Sequence, residues 1–399
     1  MNETAPSSRD VVIVDAVRSP IGKRNGELST MHSINLLGDV QKAIFERTGM
    51  DPAQVGQVVG GCVGQVGMQT MNVARNAWLA AGLPLEVAAT TVDAQCGSSQ
   101  QATNLAYAMV KAGVVDSALS CGIELMSQIK MGATIPDPDT TGVPVNARYW
   151  ENYEWTSQFE GAERIADQWG ISREDADAFG LRSQELAAKA RAEDAFSTQI
   201  VPIQVPVLDD DGKPTGESVT VSADGGIRET SLEVLAGLKP VAREDGVHTA
   251  GSASQISDGA GAVLMMTSEK AEELGLKPLA RIVDTCLVGS DPVLMLTGPI
   301  GATQKLLADN GLTMDDIGVV EINEAFASVV LAWEKEFSPN MDTVNPNGGA
   351  IGLGHPLGGT GAILMTKAVH EMQRSDIEYG IVTMCCGGGL GTGTLLQKL

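Results

Sequence analysis

Hydrophobic and polar positions change period along the chain. Strand-like runs at Val11–Asp15, Val58–Gly60 and Thr90–Ala94 alternate with stretches at Ile34–Thr48 and Gly97–Ala112, where apolar residues recur every three or four positions. The first pattern predicts strands covered on their faces and the second predicts helices packed over them, the βαβ rhythm of a largely parallel sheet. That rhythm returns after residue 278.

The return looks like a duplication. Gly38-Asp39-Val40-Gln41-Lys42 matches Gly301-Ala302-Thr303-Gln304-Lys305, and each leads into a helix, a glycine turn and a second capped helix. Asp51-Pro52 sets an N-cap before a proline, while Thr313 with Asp316 forms a capping-box start. Strands follow at matching offsets, Val58-Val59 against Val319-Val320. The strand, Cys96 and helix unit then corresponds to the Asn345, His355 and helix unit, and the strand ending at Cys121-Gly122 to the one ending at Cys385-Cys386-Gly387.

Between the repeats, residues 127–256 break the rhythm. They hold an amphipathic pair at Ala162–Trp169 and Ser172–Ala195, with a capping box at Ser172-Arg173-Glu174-Asp175, and a turn-rich Asp209–Pro214 that predicts an exposed hairpin loop. The expected organisation is an N-terminal half at 1–126 completed by about 257–275, a loop domain at 127–256 covering one face, and a C-terminal half at 276–399.

Composition narrows the class. Aromatic residues are 4% and glycine numbers 46 of 399, so the cores rest on aliphatic side chains, as in helix-on-sheet α/β layers. A net charge of −23 argues against a nucleic-acid partner, although a local cluster of cations or backbone N–H groups still admits an anionic small ligand. Residues 1–10 are polar and no apolar run reaches membrane-span length, so a cytoplasmic protein is expected. The six cysteines are scattered, no CxxC occurs and only four histidines are present; reduced thiols and no metal site are the expectation.

Chemistry concentrates at a few positions. Cys96 follows a strand and precedes Gly97-Ser98-Ser99, where a helix N-terminus lowers a thiol's pKa and offers N–H groups to an oxyanion. The bland alternative is a small buried hydrophobe. His355 lies in the glycine-dense Asn345–Gly361, which lacks the phosphate-loop pattern and carries the side chain best suited to take a thiol proton near neutrality. Cys385 ends an apolar strand before a second glycine run, while its counterpart Cys121 has none; strand alternation turns Cys386 to the other face. Asn323, after the strand Val319–Ile322, reads either as an oxyanion donor or as a helix N-cap.

Gln95-Cys96-Gly97-Ser98, Asn323-Glu324-Ala325-Phe326-Ala327, Gly354-His355-Pro356-Leu357-Gly358 and Met384-Cys385-Cys386-Gly387, in that order, resemble the thiolase family over essentially the whole chain. The resemblance implies a five-layered α-β-α-β-α core of duplicated halves, and a ping-pong acyl transfer between 3-ketoacyl-CoA and coenzyme A. It assigns Cys96 as nucleophile, His355 as its base and Cys385 as the acid and base at the α-carbon. Asn323 with His355 forms one oxyanion hole, and the N–H groups of Cys96 and Gly387 form the other. Coenzyme A, a cosubstrate rather than a bound cofactor, maps to Arg228 and Ser254, and the acyl end to Phe326 and Met295. A homodimer or homotetramer is implied too.

Two departures stand out. Ser99 replaces the glycine usual in the nucleophile motif and is expected to tighten the turn. Ser157-Gln158-Phe159 stands where biosynthetic acetoacetyl-CoA thiolases carry a His-Met pair, which makes the chain more similar to degradative bacterial thiolases, including those of steroid side-chain breakdown. The rival readings are a biosynthetic acetoacetyl-CoA thiolase, a decarboxylating ketoacyl synthase, which would need two histidines at the nucleophile, and a non-catalytic acyl-CoA or lipid carrier, which would have lost Cys96 or His355.

Overall fold

A computed structural model of the chain describes residues 9–135, 138–209 and 211–399; the polar segment before Arg9 and Asp210 of the expected hairpin loop lie outside them. The first half contributes strands β1 (Val11–Arg18), β2 (Gln57–Gly61), β3 (Ala89–Val92), β4 (Ser117–Leu125) and β5 (Ser257–Thr267). The second contributes β6 (Ala280–Gly289), β7 (Val319–Ile322), β8 (Tyr379–Cys386) and β9 (Leu390–Lys398). Together with Gly22–Lys23, which pairs with β5, they make one ten-stranded sheet in the order β7-β8-β9-β6-β1-β5-β4-β2-β3.

Read inward from its own edge, each half repeats the other. In the first, β3 is parallel to β2 and β2 to β4, then β4, β5 and β1 run antiparallel in turn. In the second, Val344 bridges Val320 in parallel, β7 is parallel to β8, and β8, β9 and β6 run antiparallel. The halves meet where Val12 and Ile13 of β1 pair with Arg281 and Ala280 of β6.

The sheet is therefore mixed, not largely parallel. The cause is local: β8 returns directly into β9 through Gly387–Gly389, with Gly388 and Gly389 at φ +80° and +77°, and a direct return forces an antiparallel pair. The first half has its corresponding pair, β4 and β5, separated by residues 126–256.

Helices complete five layers. Helices α1 (Ser33–Thr48) and α2 (Val73–Ala80) cover the outer face of the first half. Helix α3 (Ser98–Lys111) fills the centre. Helices α4 (Gln158–Trp169) and α5 (Arg173–Ala192) belong to the intervening segment. Helices α6 (Gly298–Asn310) and α7 (Ala327–Phe337) cover the second half's outer face, and α8 (Thr360–Ser375) joins α3 in the middle. Because both faces of each half of the sheet are covered, β1, β4 and β5 are buried along their whole length. The duplication reaches single side chains: Trp78 of α2 and Trp333 of α7 are both fully buried, their indole N–H groups donating to Pro84 O and Thr303 Oγ1. Truncating either to alanine removes a core aromatic worth about 3–5 kcal/mol.

Some boundaries differ from expectation. Helix α4 starts at Gln158 because Ser157 Oγ accepts the Glu160 N–H, and α5 stops at Ala192, short of the expected Ala195, before Asp194 turns left-handed at φ +57°. Asp51 caps only the short 3-10 turn Pro52–Gln54. Asp209–Pro214 does connect a two-stranded hairpin, Ile203–Leu208 with Pro214–Val221. The intervening segment is pinned to β1 by a buried bidentate pair, Arg18 Nη1 and Nη2 to Asp224 Oδ1 and Oδ2 at 2.7 and 2.9 Å. Among the described residues no helix is long and apolar enough to cross a membrane.

Candidate active site

The turn from β3 into α3 projects Cys96. Gln95 is left-handed at φ +52°, a costly conformation for a side chain of that kind. It is held there by Asp93 Oδ1, which accepts the Gln95 N–H at 2.7 Å, and by Ser98, whose hydroxyl accepts the Ala94 N–H at 3.0 Å and donates to Gln95 O at 2.6 Å. Gly97 must lack a side chain, since a Cβ there would sit 2.5 Å from Cys386 Sγ. Cys386 itself is fully buried under this turn.

The Cys96 thiol is lifted to about 11, against the lowering expected of a helix N-terminus. Burial is the largest cause; N–H groups of Gly387 and of Cys96 itself pull the other way, and the carboxylates of Glu124 and Asp93 add to the rise. Removing a thiolate from water outweighs two amide dipoles. Gly387 thus faces the sulfur from the hairpin turn that ends β8.

Cys385, fully buried at the end of β8, is held well above the usual thiol range, first by burial and then by repulsion from the ionised forms of Cys96 and Cys386. The Asn323 amide donates to its sulfur. That amide also lies 3.5 Å from His355 Nε2, and its Oδ1 is buried with no hydrogen-bond partner among the described residues. Asn323 is not a helix cap: α7 starts at Ala327 with Phe326 in the cap position.

His355 reaches the group from the other end of the glycine-dense loop. Its backbone N–H donates to Gln255 O and Ser257 Oγ, its ring Nδ1 lies 2.6 Å from Thr360 Oγ1, and burial alone drops its pKa to about 4. Thiol and imidazole are therefore both neutral at rest. The loop's glycines serve close approach: a Cβ on Gly349 would fall 2.2 Å from the Glu324 carboxyl carbon, and one on Gly354, at φ +125°, 2.3 Å from Ser257 Oγ. Glu324 holds the loop by accepting from Ser183 Oγ, Asn345 Nδ2 and Ile351 N.

The structure thus gathers Cys96, Cys385, Asn323, His355 and the Gly387 N–H at one place, with side chains from both halves. Phe326 and Met295 sit in one apolar cluster with Cys385, walled by Leu294, Leu296 and Phe159. The Phe159 and Phe326 rings meet edge-on at 5.5 Å. Ser254 donates its backbone N–H to Ala325 O beside that cluster. Arg228 stands apart, its side chain exposed and its backbone N–H given to Gln184 Oε1.

Two supports escape a reading of the sequence. The buried Glu124 carboxylate accepts from Val63 N, Gly64 N, Gly358 N and Gln69 Nε2, tying the first half to the loop that carries His355. Ser99, far from tightening the turn, lies one residue inside α3, and its hydroxyl accepts the Ala362 N–H of α8 at 2.9 Å. An acid buried at the end of an otherwise apolar strand, Ser117–Leu125, was the one available signal for Glu124.

A thiol just before one central helix and an imidazole in the loop that leads into the other, with a second thiol and amide donors beside them, form a cluster of the kind acyl transfer uses, on a duplicated α/β fold. Residues 11–269 match the Thiolase, N-terminal domain family and residues 276–398 the Thiolase, C-terminal domain family, and the chain belongs to the thiolases. It is 43% identical over 400 residues to a steroid 3-ketoacyl-CoA thiolase of Mycobacterium tuberculosis, covering 98% of this chain and 94% of that one. A 3-ketoacyl-CoA thiolase of Bacillus subtilis is 39% identical over 393 residues, covering 98% and 99%. The crystal structure of the Bacillus anthracis acetyl-CoA acetyltransferase superposes with a TM-score of 0.89 at 37% identity, over 99% of this chain and 100% of that one.

Proposed function

We propose that this thiolase cleaves 3-ketoacyl-CoA with coenzyme A, releasing acetyl-CoA or propionyl-CoA and a shortened acyl-CoA, and runs the reverse condensation through the same groups. The observation that carries the reading is that Cys385 lies close to Cys96 and accepts from the Asn323 amide, which itself lies 3.5 Å from His355 Nε2. His355 Nε2 takes the Cys96 proton, and the thiolate attacks the 3-keto carbon. The alkoxide accepts from the N–H groups of Cys96 and Gly387. The carbon–carbon bond breaks, leaving an acyl group on Cys96 and an enolate whose oxygen is met by His355 and Asn323 and whose carbon takes the Cys385 proton. Coenzyme A returns that proton to Cys385 as its own thiolate displaces the acyl group, and Cys96 recovers its proton from His355. Each oxyanion donor contributes roughly 3–4 kcal/mol in the transition state.

Arg228, exposed and without an ion pair among the described residues, supplies positive charge for the nucleotide of coenzyme A on an otherwise acidic chain, and Ser254 lies toward its thiol end. The Phe159, Phe326 and Met295 wall favours an apolar acyl group. The steroid-directed name of the Mycobacterium tuberculosis relative points to bulky chains among them. Localisation in the cytoplasm and a homodimeric or homotetrameric assembly go with the same reading.

Incubation with acetyl-CoA followed by mass spectrometry tests catalysis: an acyl adduct is expected on Cys96 and absent in Cys96→Ser, whose thiolysis falls by about 10⁴-fold or more. Unmodified enzyme that still binds coenzyme A would instead make it a carrier. Thiolysis rates across 3-ketoacyl-CoA esters, from four carbons to steroid-derived chains, test the acyl preference; activity confined to acetoacetyl-CoA sinks it.

A further inference from the structure

The imidazole that must take the Cys96 proton has one ring nitrogen facing the site and the other facing a single side chain. Nδ1 lies 2.6 Å from Thr360 Oγ1, and no other hydrogen bond of that hydroxyl occurs among the described residues. Both groups are almost fully buried, His355 at 4% and Thr360 at 2% exposure, so bulk solvent reaches neither. On the opposite edge Nε2 faces the Asn323 amide at 3.5 Å; a base that takes the thiol proton on that side needs a bare Nε2, which leaves the ring proton on Nδ1.

We infer that Thr360 is the positioning residue of this site: its hydroxyl accepts the His355 Nδ1–H and so fixes the tautomer in which the Nε2 lone pair faces the nucleophile. The inference rests on the reading of His355 as the base that serves Cys96. When Nε2 takes the thiol proton the ring becomes an imidazolium, and the Nδ1–H to Oγ1 bond persists and strengthens with the charge. No carboxylate does this work, in contrast to triads in which an aspartate orients the imidazole. A neutral acceptor leaves the ring unprotonated at rest, in keeping with the low pKa that burial imposes.

The local fold makes the contact unavoidable. Thr360 is the first residue of α8, one turn after His355, and its own N–H is anchored to Pro356 O. Its β-branched side chain has few rotamers there. Replacing the hydroxyl by a methyl group strands a buried N–H, and the ring escapes by moving its proton to Nε2, the nitrogen that then no longer accepts from Cys96.

The test is the rate at which iodoacetamide inactivates the full-length enzyme through Cys96, read beside the steady-state constants. Thr360→Val and Thr360→Ala, which lose the hydroxyl with and without keeping the volume, are expected to slow alkylation and kcat by about tenfold to a hundredfold, the cost of one stranded buried donor. The KM for coenzyme A stays within about twofold, and Thr360→Ser restores both rates. His355→Ala slows alkylation at least as much. Wild-type alkylation in the valine and alanine variants beside a slow His355→Ala overturns the inference and leaves His355 as base. A serine variant as slow as valine also overturns it, by assigning the defect to packing. Unchanged alkylation in His355→Ala sinks the underlying reading instead.

Discussion

The two central helices, α3 and α8, occupy equivalent places in the two halves and are equipped for opposite tasks. Helix α3 begins beside the thiol of Cys96 and reaches into the second half's sheet through neutral amides: Gln100 Nε2 donates to Val382 O and Thr394 Oγ1, and Asn104 Nδ2 to Cys286 O. Helix α8 follows the imidazole of His355 and carries a buried charge, Lys367, whose Nζ lies 2.7 Å from Glu321 Oε2 of β7 and donates to Gly348 O of the glycine-dense loop. The only charge on α3, Lys111, is exposed. One scaffold position therefore carries two different reactive groups, and what changes between copies is the residue ahead of the helix and the way the helix is anchored.

The largest test of that comparison uses the paired strands β4 and β8. Cys385→Ala is expected to lower thiolysis by about 10²–10⁴-fold, the usual range for losing a general acid and base. Cys121→Ala, at the corresponding place in β4, should leave kcat within a few-fold. Equal losses in the two variants would erase the functional difference between the halves.

Next in size is the anchor of α8. Lys367→Met leaves Glu321 buried without its cation, and burial already lifts that carboxyl to about 7, so urea unfolding should show a loss of about 3–5 kcal/mol. A loss under about 1 kcal/mol would mean the charge is no more important than the amides of α3.

Acid should strain the second half more than the first. His355 sits at about 4 against an ordinary 6.5, so on lowering the pH the unfolded chain takes its proton first. Stability is complete above about 6.5 and falls by about 3 kcal/mol on the way to pH 4 from this ring alone. His355→Asn should flatten that part of the urea-midpoint profile, and an unchanged slope would place the acid sensitivity in buried His248 and half-buried His370, whose pKa values burial also lowers.

The smallest effect concerns the bond between the two helices. Ser99→Gly strips the hydroxyl from the Ala362 N–H, one of the orphan donors at the start of α8, and should cost about 1 kcal/mol with little change in kcat. A change in kcat without a change in stability would give Ser99 a share in aligning the thiol with the imidazole.

Much of this was legible in the chain. The duplication followed from order and offset, because a buried strand and a covering helix leave different periods wherever they occur. Cys96, His355, Cys385 and Asn323 stood at strand ends and glycine runs, where backbones can meet. The mixed sheet was not legible, because whether a strand returns directly or after an excursion of some 130 residues is decided by the fold and not by the strand. The thiol's direction of shift was misread for a related reason: a helix N-terminus is visible in sequence, whereas exclusion of water depends on Cys385, Asn323 and Gly387 arriving from elsewhere. Thr360 reads as an ordinary first helical residue, and only the ring beside it gives its hydroxyl a purpose.

The contact between α3 and α8 has a consequence for how this protein tolerates change. A methyl group added at Gly361 would lie 2.2 Å from Gln100 N, and one at Gly61 the same distance from Ser99 N. Substitution at Gly361 forces apart the two rods on which sulfur and imidazole ride, substitution at Gly61 pushes α3 off β2, and a misplacement of about 1 Å costs on the order of 10²-fold in rate. Sites with no chemistry of their own are thus sensitive too, and a lesion at either glycine should leave a folded protein that binds and turns over slowly.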